Sequence, residues 1–237
     1  MKIIFNNEIK NSTITAAAPN ANYPASNLSH VFAKVKYKGL GYSDVITVVF
    51  DDNIEASGFM YTYTNATSMV VQVYSNSSVL LETLNIDCTY NSGASYFTKH
   101  TDVRRLVITI ASDVAQDIYL GGIAIGVAFE FPYPIANFDK GLLDGSSKSI
   151  SNDGQTSYHY MKPLLKYSLA FQAVNRTSLY HLIVDQFLDV GSGHIWVDIS
   201  DLNHTLYQPL YCTTQLIENP TRSRNRVSFT LTLTEAR

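Results

Sequence analysis

The stretch VITVVF, Val45 to Phe50, is apolar and β-branched, with Ser43 and Asp44 before it and Asp51, Asp52 and Asn53 after it. A continuous apolar run of this length bounded by turn residues predicts a strand buried on both faces. Apolar segments recur at Phe59 to Tyr63, Met69 to Tyr74 and Val79 to Leu84, separated by Ser, Thr and Asn clusters. Those side chains stabilise turns through their own hydrogen bonds, and a strand about every ten residues predicts a β-sandwich. Val103 to Ile110 and Ile118 to Val127 extend the series across a polar break at Ser112 and Asp113. In the last segment Gly121, Gly122 and Gly126 mark positions where strands or sheets come close.

Pro132 and Pro134 remove ladder donors and fix φ, so strand pairing is expected to stop there. The boundary falls between Pro132 and Asp139, which divides the chain into a first β domain, 1–133, and a second, 134–237. Gly141 to Ser157 is rich in Gly and Ser and predicts a loop. Beyond it Leu165, Tyr167, Leu169 and Phe171 alternate with polar or small residues, as do Val227, Phe229, Leu231 and Leu233. This is the period of strands with one packed and one wet face. Between them Thr177 is a good N-cap, and Leu179, Leu182, Ile183, Phe187 and Leu188 share one stripe that ends at Gly191. A helix is expected over 178–189. His194 to Ile199 and Leu210 to Ile217 read as further strands.

The chain has 237 residues, enough for two units of ordinary size. Apolar residues make up 46% of it, which excludes disorder, and only 16% are charged, against about 25% in an average globular chain. Ser, Thr and Asn fill much of the remainder, so the surfaces are polar but uncharged. With a net charge of -3 there is no sequence-wide phosphate-binding footprint, which argues against nucleic acid as the main ligand. Ile3, Ile4 and Phe5 give way to Asn6, Asn7 and Glu8, too short a run for a signal-peptide core, so the product is expected to start out in the cytoplasm. The longest charge-free apolar stretch, Ile118 to Phe129, is shorter than the roughly 18 residues of a membrane span. Cys88 and Cys212 fall in different domains and are expected to be buried, unpaired thiols.

The order YPASNL (Tyr23 to Leu28), VITVVFDDNIEASGF, a meander, VRRLVITI and IYLGGIAIG resembles the discoidin or galactose-binding jelly roll over residues 20 to 128. In that family an early Asn-Leu precedes a buried strand and a late Arg-rich strand leads to the closing one. The second half resembles the C-terminal part of structural proteins from the tail tips of long-tailed bacteriophages. The features that carry this are the Gly and Pro crossing from Ile125 to Pro134, the loop from Ser146 to Gly154, KYSLAFQAV, SLYHLIVDQFLDV, HIWVDI and TLTLTEAR. This resemblance implies a β-sheet flanked by one helix that joins neighbours into homo-oligomeric rings, and it implies no catalytic residue. The expected fold class is therefore mainly β: an N-terminal jelly-roll (galactose-binding-like) sandwich followed by a second β domain with one flanking helix.

Signatures such as CxxC, HExxH, GxSxG, the Walker GxxxxGK and the EF-hand loop are missing from the sequence. The histidines, His30, His100, His159, His181, His194 and His204, are scattered and read as surface or structural groups. Asp51, Asp52 and Asn53 form an oxygen-rich cluster that suits either a ligand such as Ca²⁺ or sugar, or a solvated turn. Tyr61, Tyr63, Tyr90 and Tyr96 read either as a sugar-stacking platform or as half-buried strand residues. Asn-X-Ser/Thr triplets at Asn11, Asn27, Asn65, Asn76, Asn175 and Asn203 reflect composition. Two basic rows, Lys34, Lys36 and Lys38, and Arg222, Arg224 and Arg226, each share one face if extended. They read either as solvated edges that discourage stray pairing or as subunit-interface residues.

These readings converge on a non-enzymatic, cofactor-free structural component of a phage tail tip or baseplate. It would assemble in the host cytoplasm into the virion tail by contacts with other tail proteins and with its own copies. The alternative is a carbohydrate-binding adhesin that recognises the host. A glycan hydrolase would need two carboxylates across a groove, and nothing in the sequence picks out such a pair.

Overall fold

The computed structural model describes residues 1–29, 35–114, 116–131, 137–144, 146–150, 156–159, 164–175, 184–186, 195–199, 210–219 and 226–235. The first strands are β1 (Lys2–Ile4), β2 (Ser12–Ala16), β3 (Tyr37–Lys38), β4 (Ser43–Thr62) and β5 (Ser68–Ser75). They are followed by β6 (Leu80–Asp87), β7 (Gly93–Ala111), β8 (Tyr119–Leu120), β9 (Gly122–Gly126) and β10 (Ala128–Glu130). The remainder are β11 (Asn137–Leu143), β12 (Ser147–Ile150), β13 (Thr156–His159), β14 (Leu164–Asn175), β15 (Ile195–Asp198), β16 (Leu210–Asn219) and β17 (Arg226–Glu235). The protein is thus mainly β, and every strand pairing described is antiparallel.

The chain forms two compact units, the first from Met1–Phe131 and Ile195–Tyr211, the second from Pro132–His194 and Cys212–Ala236. The first unit is therefore discontinuous in sequence. β15, read from the sequence as part of the second domain, pairs with β1, Ile3 facing Val197 and Ile4 facing Trp196, while β10 takes the other edge of β1. Ile195 to Ile199 are all buried, a composition that a free edge strand would not tolerate.

In the first unit the strands run in the order β2-β4-β7-β5-β6, and β9 also pairs with β4. β4 is 20 residues long and contains both VITVVF and the Phe59 segment, which the sequence pattern suggests are separate strands. Its first half is not buried on both faces. Ile46, Val48 and Phe50 are buried, but Val45 and Val49 are 38% and 41% exposed, because only one side of this layer packs. Along β7 the register jumps from Val49↔Arg105 to Ile54↔Val103, so Phe50 to Asn53 bulge out and the strand bends. Its far end, Gly58 to Thr62, then pairs with β9. Ile46, Val48 and Phe50 from one half, Phe59 and Tyr61 from the other, and Ile108, Ile110, Ile123 and Ile125 share one core, the filling of a jelly-roll sandwich.

A buried polar knot ties the chain that enters β4. Asp44, 5% exposed, accepts hydrogen bonds from the Tyr37 hydroxyl, from the Ala18 N–H at 3.1 Å and from its neighbour Val45 N–H at 2.7 Å. Asn27, in the segment resembling the discoidin motif, donates to the Lys36 carbonyl at 2.9 Å, and Leu28 is buried beside it. Burial and the adjacent Asp44 carboxylate both push the Tyr37 phenol far above its ordinary value of 10.0. Burial likewise raises Tyr61, whose hydroxyl meets Cys88.

In the second unit β14 pairs with β11 and β17, and β17 with β16. Leu169 faces Leu231, and Phe171 faces Phe229 with the rings stacked 4.8 Å apart, which matches the alternation in the sequence. Gly141 to Ser157 is not simply a loop. Gly141 to Leu143 close β11, and Ser147 to Ile150 pair with Thr156 to His159, a hairpin held by its ladder with little apolar content to announce it. Residues 184–186 are helical, inside the helix expected at 178–189; Leu182, Ile183 and Phe187 lie outside the described residues. Cys88 and Cys212 are both buried and unpaired, as expected.

Two substitutions test this packing. A Cβ at Gly126 would lie 2.5 Å from the Asn6 carbonyl oxygen, a backbone atom that cannot swing away. Gly126→Ala should therefore cost about 1 to 3 kcal/mol in denaturant unfolding, and an unchanged midpoint would show that β9 does not lie against that segment. Because the folded-state phenols of Tyr37 and Tyr61 are raised, their contribution is complete below the unfolded value of 10.0. As pH rises past that value the unfolded chain loses the proton first, and stability falls by up to about 1.4 kcal/mol per pH unit for each phenol. Tyr37→Phe should make this alkaline loss shallower in a pH series of melts. An identical slope would place the Tyr37 hydroxyl in water.

Candidate functional site: a crown of loops at one end of the sandwich

Ser43 of β4, Ala111 of β7, Ser68 of β5 and Asp87 of β6 stand opposite one another in a single row across four strands. The turns 39–42, 63–67 and 88–92 project from this end together with residues 112–114 and 116–118, and hydrogen bonds link them. The Gly41 N–H donates to Asp117 Oδ1 at 3.2 Å and the Ile118 N–H to the Gly41 carbonyl at 3.0 Å. Gly41 has φ +93, a left-handed conformation that suits glycine. The Ser112 N–H donates to the Tyr42 carbonyl at 2.8 Å. Asn65 bridges the next gap, donating to the Asp117 carbonyl at 2.9 Å and accepting from the Tyr119 N–H at 2.7 Å. The Thr64 N–H reaches the Asn91 carbonyl at 2.9 Å, and the Cys88 N–H reaches the Thr67 carbonyl at 3.0 Å. The turns thus form one connected crown.

Aromatic and apolar side chains stand out from it. Tyr42 is 62% and Tyr90 is 52% exposed, the two most exposed tyrosines among the described side chains, and Leu40 and Val114 are exposed beside the Tyr42 turn. Asp87, Asp113 and Asp117 are exposed around them. Two further tyrosines have an occupied face: the Lys36 ammonium lies 4.3 Å from the Tyr119 ring centre, and that of Lys38 lies 4.2 Å from the Tyr23 ring centre.

Of the tyrosine platform considered from sequence, only Tyr90 is open. Tyr61 is buried, Tyr63 is half-buried with φ 53, and Tyr96 donates to Asp198 Oδ2 at 2.7 Å under the Lys2 ammonium. Asp51, Asp52 and Asn53 do not follow the end of a strand as the pattern suggested. They lie exposed in the bulge of β4, at the other end of the sandwich from the crown. Among the described residues no group of three or more His, Cys, Asp or Glu side chains could hold a metal ion. His100 faces Glu82, Nε2 to Oε2 3.8 Å, and stacks on Phe97.

Of the basic rows, Lys36 and Lys38 share a face, as their spacing predicts, with Tyr37 turned into the core. Arg226 is exposed at the start of β17, while Lys34, Arg222 and Arg224 lie outside the described residues. Tyr42 is the residue that sequence reasoning missed. Its signal was the turn sequence GLGYSD: an aromatic residue just after glycine and before a polar strand start has no place in the alternation of a packed face.

No protein-family model matches the chain, and no curated protein matches it. Among solved structures, a chitosan-binding module of a chitosanase/glucanase from Paenibacillus sp. IK-5 is 15% identical over 51% of this chain and 98% of the module, with a TM-score of 0.44. The family 32 carbohydrate-binding module of C. perfringens NanJ, solved with galactose, is 13% identical over 54% of this chain and 100% of its own, with a TM-score of 0.45. The lectin domain of lectinolysin, solved with Lewis b antigen, is 7% identical over 51% of this chain and 95% of its own, with a TM-score of 0.44. Nothing in these comparisons indicates a tail protein.

Proposed function

We propose that the first unit is a non-catalytic glycan-binding module and that the crown of loops holds the sugar. The observation that carries this reading is the pair of open tyrosines, Tyr42 and Tyr90, on a hydrogen-bonded polar rim. A phenol ring offers a flat face to the C–H groups of a pyranose, and the surrounding hydroxyl, amide and carboxylate groups can bond its hydroxyls. The apolar exposure here is broken up by Ser68, Asp87, Asn91, Asp113 and Asp117, unlike the continuous patch that marks a protein interface. As part of an adhesin, such a module would hold its carrier on a glycan-covered surface.

A glycan array probed with the labelled chain tests this. Binding to at least one glycan is expected, and Tyr42→Ala combined with Tyr90→Ala should lower it by at least about tenfold without changing the melting temperature. An array with no bound glycan, or a double variant that binds like the wild type, would overturn the assignment.

A further inference from the structure

Resting on that reading, we infer that the crown takes a linear, uncharged oligosaccharide across several linked rings, and not a single terminal sugar. Spacing carries the inference. Tyr42 immediately precedes Ser43, and Tyr90 follows three residues after Asp87, at opposite ends of the row Ser43, Ala111, Ser68, Asp87. Neighbouring strands lie about 4.8 Å apart, so the two ends of the row are separated by roughly 14 Å. Turns that leave the row this far apart suit a run of linked rings better than a single pyranose ring.

The tyrosines that would have filled in a compact, single-ring pocket are not available for stacking on the faces their lysines cover, because Lys38 sits over Tyr23 and Lys36 over Tyr119. Ser68 and Asp113 lie exposed between the open platforms and present oxygens to the hydroxyls of intervening sugars. Once one ring is seated on either tyrosine, the second contact becomes intramolecular, so affinity grows with chain length until both platforms are covered. Charge sets the class. Exposed Asp87, Asp113 and Asp117 line the rim, whereas among the described residues Lys36 and Lys38 are engaged on tyrosine rings. A chain of uronic acids would meet like charge.

Calorimetric titration of the full chain with size ladders of gluco-, galacto- and manno-oligosaccharides, from monosaccharide to hexasaccharide, tests the inference, with oligogalacturonides as the acidic series. In at least one neutral series the hexasaccharide should bind at least about tenfold more tightly than the monosaccharide. Tyr42→Ala and Tyr90→Ala should each remove most of that gain, because only one platform survives in each. Tyr42→Phe and Tyr90→Phe, which keep the ring face, should retain it. A monosaccharide bound as tightly as its hexasaccharide, or both bound equally less well by each alanine variant, would overturn the two-platform inference and leave the glycan reading standing. Tighter binding of the oligogalacturonides than of every neutral series would overturn the charge assignment. Absence of binding in all series, together with a blank array, would remove the glycan reading itself.

Discussion

The bend in β4 is the constraint from which the rest of the first unit follows. A straight strand of 20 residues would run for roughly 65 Å, far beyond the reach of one small core. Its apolar positions sit in two groups, Ile46 to Phe50 and Phe59 to Tyr61, and both must be buried in the same interior. The register slip at Phe50 to Asn53 lets the chain fold over, and the exposed Asp51, Asp52 and Asn53 keep the extra residues solvated there. Because the strand reverses, the turn after Thr62 returns to the end at which Ser43 began. Without that return, the turns at 39–42 and 63–67 would lie at opposite poles and no crown would form.

Holding the 39–42 turn in place falls to Asp44. A buried carboxylate is costly unless its oxygens are bonded, and here they receive the Tyr37 hydroxyl and the N–H groups of Ala18 and Val45. Ala18 and Tyr37 come from two different stretches of the chain leading into β4 and Val45 from the strand itself, so satisfying one carboxylate ties these segments together. The neighbouring bonds through Asn65 and Asp117 extend the order across the crown. Turns that are ordered before a ligand arrives lose little entropy when it binds, which lets a shallow surface with few contacts retain affinity.

Much of this architecture is legible in the sequence, because burial imposes a period. The alternation at Leu165 to Phe171 and at Val227 to Leu233 appears directly in the second unit, and the glycines at 121, 122 and 126 mark a close approach. What period cannot reveal is pairing between distant segments. Nothing in the apolar run Ile195 to Asp198 announces that it also pairs with Lys2 to Ile4, at the far end of the chain. The same blindness misplaced Asp51 to Asn53, since a polar triplet after a strand reads as a turn unless the continuation beyond it is known to pair with the same neighbour. The crown was legible only in part, because Tyr61, Tyr63, Tyr90 and Tyr96 are equivalent as letters and differ only in what covers them.

That difference divides the described tyrosines into those the fold occupies and those that the proposed reading leaves for recognition. Tyr37 and Tyr61 spend their rings on the core and their hydroxyls on Asp44 and Cys88, so both are locked as neutral, internal groups. Tyr23 and Tyr119 carry lysines, which makes them supports for the segment 36–38 as it enters the sheet. Tyr42 and Tyr90 have neither role and leave their rings to solvent. The rest of the surface is rich in Ser, Thr and Asn and poor in charge, so a desolvated ligand meets few strongly hydrated ions on its way to the rings. A polar, uncharged surface with isolated aromatic faces is complementary to a molecule that is itself uncharged, densely hydroxylated and flat on one side.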